Sequence, residues 1–281
     1  MVFHREQYLS QFFFLIYIND ITDAISSTIR LFANDSKIYN IVNNNSDSKL
    51  IQEDLDKLSQ WSETWQLKFN VEKCKTLHFG NNNLEITYNL IEDGQRKDIP
   101  SECVEKDLGV VFETDLKFRK HINECINKAN RTLGLIRRSF LYMSKKSFKK
   151  LYKTLVRSTL EYCNIVWCPR YQKDIHSLER VQKRATKLIR ELRHLPYEER
   201  LRELDLPSLT YRRLRGDLIE VYKLFNNKED ININNFFKIS DSATTRGHPY
   251  KLHKKQCRLD VRKTFSRRES LMIGMLCPLL Q

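Results

Sequence analysis

The sequence predicts an α+β fold: a small β-sheet with packed helices, followed by a mostly α-helical region. Three observations carry this prediction. Up to about residue 115, short apolar runs alternate with Asn-rich breaks such as Asn43-Asn-Asn45 and Asn81-Asn-Asn83, the pattern of strands and turns. Beyond it, apolar residues recur every three or four positions, the period of an amphipathic helix. Only 7 glycines and 6 prolines occur in 281 residues, which leaves few tight turns and favours helix. The expected organisation is a sheet-containing region at 1–115, a helical region at 116–225, and a polar linker with a basic tail at 226–281.

The elements follow in order. Phe12 to about Ala24 reads as a buried helix. Ile29–Phe32 and Lys37–Val42 read as strands flanking an Asn34-Asp35 tip, residues that favour a hairpin turn. Ser46 or Asp47 is positioned to cap the next helix, whose apolar face is Ile51, Leu55, Leu58, Trp61 and Trp65, with acidic residues outside. Leu67–Phe69 and Thr76–Phe79 read as two more strands.

After Leu116 the stripe Phe118, Ile122, Cys125, Ala129, Leu133, Ile136 and Phe140 predicts a long helix. Ser144 is the expected cap of a second, carrying Phe148, Leu151, Leu155 and Tyr162. Asp174 is the expected cap of a third, with Leu178, Val181, Ala185, Leu188 and Leu192 on one side. Pro196 and Pro207 mark the starts of Tyr197–Leu204 and Leu209–Phe225. No heptad pattern persists across these stretches, so a helical bundle is expected rather than a coiled coil.

Composition narrows the function classes. Hydrophobic content of 41% and aromatic content of 11% exclude a disordered chain. The net charge of +14 favours a polyanionic partner, and its recurrence through long segments favours nucleic acid over a membrane surface. Seven cysteines without regular pairing fit reduced thiols, hence an intracellular chain, cytoplasmic or nuclear and not secreted. The run Phe12–Ile18 is far shorter than the ~20 apolar residues a bilayer span needs, and no small-residue cleavage site follows it.

The chemistry centres on Phe32-Ala33-Asn34-Asp35, an apolar strand running into an amide and a carboxylate before a second strand begins. Taken in order, Phe14-Leu-Ile-Tyr-Ile-Asn-Asp-Ile21, Leu31-Phe-Ala-Asn-Asp-Ser-Lys-Ile-Tyr39 and Trp65-Gln-Leu-Lys-Phe-Asn-Val-Glu-Lys-Cys-Lys75 resemble the later palm segments of non-LTR retrotransposon reverse transcriptases of the jockey/CR1 type. Glu105-Lys-Asp-Leu-Gly-Val110 resembles the approach to the primer-grip turn. Leu135–Phe140, Leu160–Cys163, Leu178–Ala185 and Arg215–Tyr222 are similar to the helical region downstream. The similarity runs from about Phe14 to about Lys263.

The resemblance implies a partial palm with a degenerate metal-binding hairpin and a helical thumb or connector. It implies an RNA template, a DNA primer or RNA/DNA hybrid, deoxynucleotides and Mg²⁺ for an intact enzyme. One ion activates the 3′-hydroxyl and both stabilise the oxygens of the in-line displacement, and magnesium asks for hard, anionic oxygen ligands. Asn34 and Asp35 stand at the positions of the family's aspartate pair, so the resemblance makes Asp35 a metal ligand and Asn34 a degenerate, uncharged one. The upstream aspartate, the fingers and the endonuclease precede the segment matching Phe14 in the family. A polymerase-inactive C-terminal remnant is therefore expected.

By the same resemblance Lys73 matches a lysine acting as general acid toward the leaving pyrophosphate, and Leu108, Gly109 and Val110 match the primer grip. Two basic clusters are read directly from the residues. Arg180, Lys183, Arg184, Lys187 and Arg190 lie away from the third helix's apolar stripe, and Arg137, Arg138, Lys145, Lys146, Lys149 and Lys150 surround the first helix–helix connection. Spaced charges of one sign can follow a phosphate backbone, and nothing in the sequence reads bases, so contact is expected to be sequence-independent. Two alternatives accompany the polymerase remnant: a binding module without chemistry, and a pseudogene product with no selected role. Cys163, Cys168, His248, His253 and Cys257 have spacings unlike a zinc site.

Overall fold

The structure is a computed structural model that describes residues 13–80, 83–229, 232–235 and 237. It divides into two compact units, Met1–Glu105 with Glu113–Asp115, and Lys106–Phe112 with Leu116–Gln281. The coarse class is α+β. Among the described residues the strands form three separate two-stranded ladders rather than one small sheet.

In the first unit, the stretch expected to be a buried helix is helical only at 13–18 before a 3₁₀ turn, Asn19–Thr22, and it buries Ile18 and Ile21 while Phe13, Leu15 and Ile16 face solvent. Strands β1 (Thr28–Phe32) and β2 (Asp35–Tyr39) pair antiparallel with Phe32 opposite Asp35. The turn residues are therefore Ala33 and Asn34, and Asp35 opens β2 instead of sharing the tip. Period-two alternation turns Ile29 and Leu31 inward, onto Ile18, Ile21 and Leu58.

Helix α1 (Asn45–Thr64) is capped by Asn44, whose side chain accepts from the N–H groups of Ser46 and Asp47 while Asp47 reciprocates. Ser46 and Asp47 are thus helical residues and not the cap. Trp65 ends the helix 40% exposed, its carbonyl accepting the Tyr17 hydroxyl and its ring edge-on to Tyr17 at 5.1 Å. Asp54 departs from the expected acidic outer face. It is buried and accepts from the N–H groups of Ser26 at 3.1 Å and Ser27 at 2.7 Å, and from Lys57 at 3.0 Å. Those bonds tether the approach to β1 against α1.

Leu67–Phe69 forms no strand, and Thr76–Phe79 shrinks to a single parallel bridge between Thr76 and Ser101. The second hairpin lies further on, β3 (Asn89–Glu92) with β4 (Gln95–Asp98). Asp93 at φ 50° and Gly94 at φ 76° form its turn, the two left-handed positions that suit the right-handed twist of a hairpin. The outer edge of β3 is satisfied by α1 side chains. Gln52 accepts from Asn89 N–H at 3.0 Å and donates to its carbonyl at 2.9 Å, and the Ser59 hydroxyl accepts from Ile91 N–H at 3.1 Å.

Strands β5 (Val104–Asp107) and β6 (Val110–Glu113) form the third hairpin, whose tip belongs to the helical unit. That unit contains α2 (Arg119–Ser139), α3 (Lys145–Leu151), a π-helical stretch Tyr152–Arg157, α4 (Ser158–Glu161), α5 (Gln172–Thr186), α6 (Tyr197–Glu203) and α7 (Leu209–Phe225). The expected stripe of α2 is buried except for Phe140, and Ser144 caps α3 as expected. Asp174 lies inside α5, which starts after Tyr171.

In the second helical stretch the buried residues are Phe148, Tyr152, Val156 and Leu160, while Leu155 and Tyr162 are exposed. Steps of four residues drift by about 40° each on an ideal α-helix. The π turn underwinds the chain and keeps all four side chains on one face. The core is completed by Leu178, Val181, Ala185, Leu204 and Leu209 around Trp167, which is fully buried.

Candidate nucleic-acid interface

Helices α2 and α5 pack side by side and run in the same direction. At their N-terminal ends the Arg119 guanidinium stacks 4.7 Å from the Tyr171 ring centre. At their C-terminal ends the Tyr142 hydroxyl donates to Glu191 at 3.1 Å. Midway, Arg184 donates to the Asn130 side chain at 2.7 Å.

Leu178, Val181 and Ala185 are buried on one side of α5, and Arg180, Lys183, Arg184 and Lys187 are exposed on the other. At 1.5 Å per residue these four cations cover about 10 Å of surface. Lys183 lies 5.7 Å from the Tyr197 ring centre, a cation–π contact that steadies its aim. Arg190 is exposed in the 3₁₀ turn beyond, and Arg193 caps the helix by donating to the Lys187 carbonyl at 2.8 Å. Arg137 and Arg138 are exposed in the last turn of α2, where cations also complement the helix dipole.

The remaining cluster is divided. Lys145 pairs with Glu203 at 2.6 Å and Lys149 with Asp205 at 3.2 Å, while Lys146 and Lys150 are exposed on α3. A phosphate at Lys145 or Lys149 competes with an existing carboxylate.

Leu108, Gly109 and Val110 come together at the tip of the β5–β6 hairpin. Leu108 at φ 43° and Gly109 at φ 84° make the turn. The Tyr162 hydroxyl donates to the Leu108 carbonyl at 2.9 Å, and a Cβ added at Gly109 would meet the Tyr162 ring at 3.1 Å. Here glycine serves both the left-handed backbone and the close approach of the ring. Val110 is buried.

Asn34 and Asp35 are exposed, and Ala33 beside them takes φ 52°. Lys73 is exposed at the end of the 3₁₀ turn Val71–Lys73, its N–H bonded to the Asn70 side chain at 3.2 Å. Among the described residues no group of three or more His, Cys, Asp or Glu is arranged to hold a metal. The neutral amide of Asn34 in the turn and the single carboxylate of Asp35 at the start of β2 do not by themselves fit a magnesium site, which draws on several oxygen ligands. Cys163 is exposed and Cys168 half-buried; His248, His253 and Cys257 lie outside the described residues.

The helical unit also holds a buried polar network that the sequence did not disclose. Tyr152 donates to Gln182 at 2.5 Å, and Gln182 donates to the Pro207 carbonyl at 3.0 Å. Glu179 accepts from the Tyr197 hydroxyl and, at 3.2 Å, from Leu209 N–H at the start of α7. Burial, then the Glu179 carboxylate, pushes the Tyr197 phenol up, so it remains a neutral donor.

His121 and Cys125, one turn apart on α2, are both buried with Cys125 Sγ 3.4 Å from His121 Nε2. His121 Nδ1 accepts from Val111 N–H at 3.2 Å. Burial pushes the thiol up to about 11 and lowers the imidazole. The pair is a neutral packing contact and not an activated nucleophile.

No protein-family model, curated protein or solved structure matches this chain. No described helix is long and apolar enough to cross a membrane.

Proposed function

We propose that this chain is a non-catalytic, sequence-independent nucleic-acid-binding protein, derived from the late palm and thumb of a non-LTR retrotransposon reverse transcriptase. The ancestral reaction is template-directed nucleotidyl transfer from deoxynucleotides on an RNA template, with Mg²⁺ as the family's cofactor. The reading rests on the ordered segments that resemble that family, and on one geometric observation. Arg180, Lys183, Arg184 and Lys187 share the exposed face of α5.

A helix face of this kind can follow successive phosphates, with affinity supplied by release of condensed counterions. The favoured ligand is an RNA/DNA hybrid or RNA duplex, whose backbone is a regular polyanion. Loss of chemistry follows from Asn34. An amide offers an oxygen but no charge, and loss of charge stabilisation worth several kcal/mol slows phosphoryl chemistry by about a thousandfold.

Fluorescence anisotropy with a labelled RNA/DNA hybrid at low salt tests the reading. The chain is expected to bind, and Arg180→Glu with Lys187→Glu is expected to weaken binding by about tenfold or more. Absence of binding by the native chain at low salt, or equal binding by the variant, rejects it.

A further inference from the structure

We propose that the α2–α3 connection, Phe140-Leu141-Tyr142, is a stacking platform for single-stranded nucleic acid, distinct from the phosphate-following face of α5. This deepens the binding function above and rests on it.

Phe140, Leu141 and Tyr142 are 44%, 88% and 68% exposed. Three consecutive large apolar side chains in water are unfavourable for a free surface and mark a site that something covers. The loop is fixed at several points. Phe140 N–H donates to the Ile136 carbonyl at 3.1 Å, Met143 is buried, and the Ser144 hydroxyl accepts from Ser147 N–H at 3.2 Å. The bond from Tyr142 to Glu191 holds the second ring. Rings on a backbone already ordered lose little entropy on binding.

The charge around the loop selects the occupant. Arg137 and Arg138 precede it, Lys146 follows it, and Arg190 stands beside Glu191 at the adjoining end of α5. Two carboxylates lie among these cations, Glu191, which accepts from Tyr142 at 3.1 Å, and Glu203, which pairs with Lys145 at 2.6 Å, and the exposed cations outnumber them. Aromatic rings interleaved with cations fit a strand whose bases stack while its phosphates reach the cations. A duplex keeps the faces of its bases inside the stack, so it cannot use the rings. An anionic lipid surface would also meet cations and an apolar loop, but would gain little from planar rings rather than aliphatic side chains.

The test uses the full chain with three probes at one salt concentration: labelled oligouridylate, a labelled RNA/DNA hybrid, and vesicles of phosphatidylserine and phosphatidylcholine. Phe140→Ala with Tyr142→Ala is expected to lose about tenfold or more in affinity for oligouridylate and to keep its affinity for the hybrid. Phe140→Trp, which keeps a ring, is expected to retain oligouridylate binding, separating stacking from a folding defect. Equal loss on both nucleic acids, no loss on oligouridylate, or ring-dependent binding to vesicles alone overturns the platform. If the native chain binds neither nucleic acid, the proposed function fails with it. If the hybrid is bound and the ring variant is indifferent on oligouridylate, only the platform fails.

Discussion

At the β1–β2 turn the proposed loss of chemistry rests on one functional group. Asp35 brings a charge and Asn34 only a dipole, on a turn where Ala33 already holds a left-handed backbone. We predict that primer extension with either Mg²⁺ or Mn²⁺ gives no product from the native chain; measurable incorporation would refute its assignment as non-catalytic. Asn34→Asp creates a pair of adjacent carboxylates, and activity confined to that variant would identify the amide as the cause of the inactivity. A second residue-scale prediction concerns Asp217 on α7. Burial raises its carboxyl to about 6, against the opposing influence of Arg213. The folded chain therefore binds this proton more tightly than the unfolded chain, whose aspartate titrates near 4. Its stabilising contribution is complete below about pH 4 and disappears as pH rises through about 6. Relative to Asp217→Asn, the native chain is expected to gain melting temperature between pH 7 and pH 4.5; a constant difference across that range would contradict the shift.

Among the elements, α1 acts as a scaffold for strands on both sides of it in sequence. Asp54 holds the approach to β1, and Gln52 and Ser59 satisfy the edge of β3. Asp54→Ala strands two backbone donors and is predicted to cost about 2–4 kcal/mol in urea unfolding; a change within experimental error would show that water replaces the carboxylate freely. Burial acts to raise this carboxyl, but hydrogen bonds from Ser26, Lys57 and Ser27 together hold it below its usual value, so its stabilisation is lost as acid protonates it.

How much of this was legible differs by element. The α2 stripe announces itself because an uninterrupted α-helix keeps its period for the whole of Arg119–Ser139. The face of α3 and α4 does not, because the π turn shifts the register by a non-local packing choice. The β3–β4 hairpin carries a readable turn signal in Asp93-Gly94, but Leu67–Phe69 and Thr76–Phe79 have the stronger strand composition. Among the described residues Leu67–Phe69 joins no ladder and Thr76–Phe79 makes only the bridge to Ser101, because composition alone does not supply a partner. The basic face of α5 was readable from residue spacing. The exposed Phe140-Leu141-Tyr142 loop was hidden because Phe140 continues the α2 stripe in register.

On the scale of the whole molecule, the excess of positive charge is the property on which the proposed function rests. The chain carries +14, and part of that charge is spent internally, as at Lys145–Glu203, Lys149–Asp205 and the paired hydrogen bonds of Arg212 with Glu161. The face of α5 is different, because its cations sit opposite a buried stripe and its contacts are with neutral groups, Asn130, Ser177 and the Tyr197 ring. The most direct measurement is the salt dependence of hybrid binding, for the native chain and for a variant with Arg180, Lys183, Arg184 and Lys187 all changed to alanine. Four lost phosphate contacts are predicted to reduce the slope of log affinity against log salt by about 3.5. A native affinity insensitive to salt, or a slope the substitutions leave unchanged, would contradict the assignment of this helix face to nucleic acid.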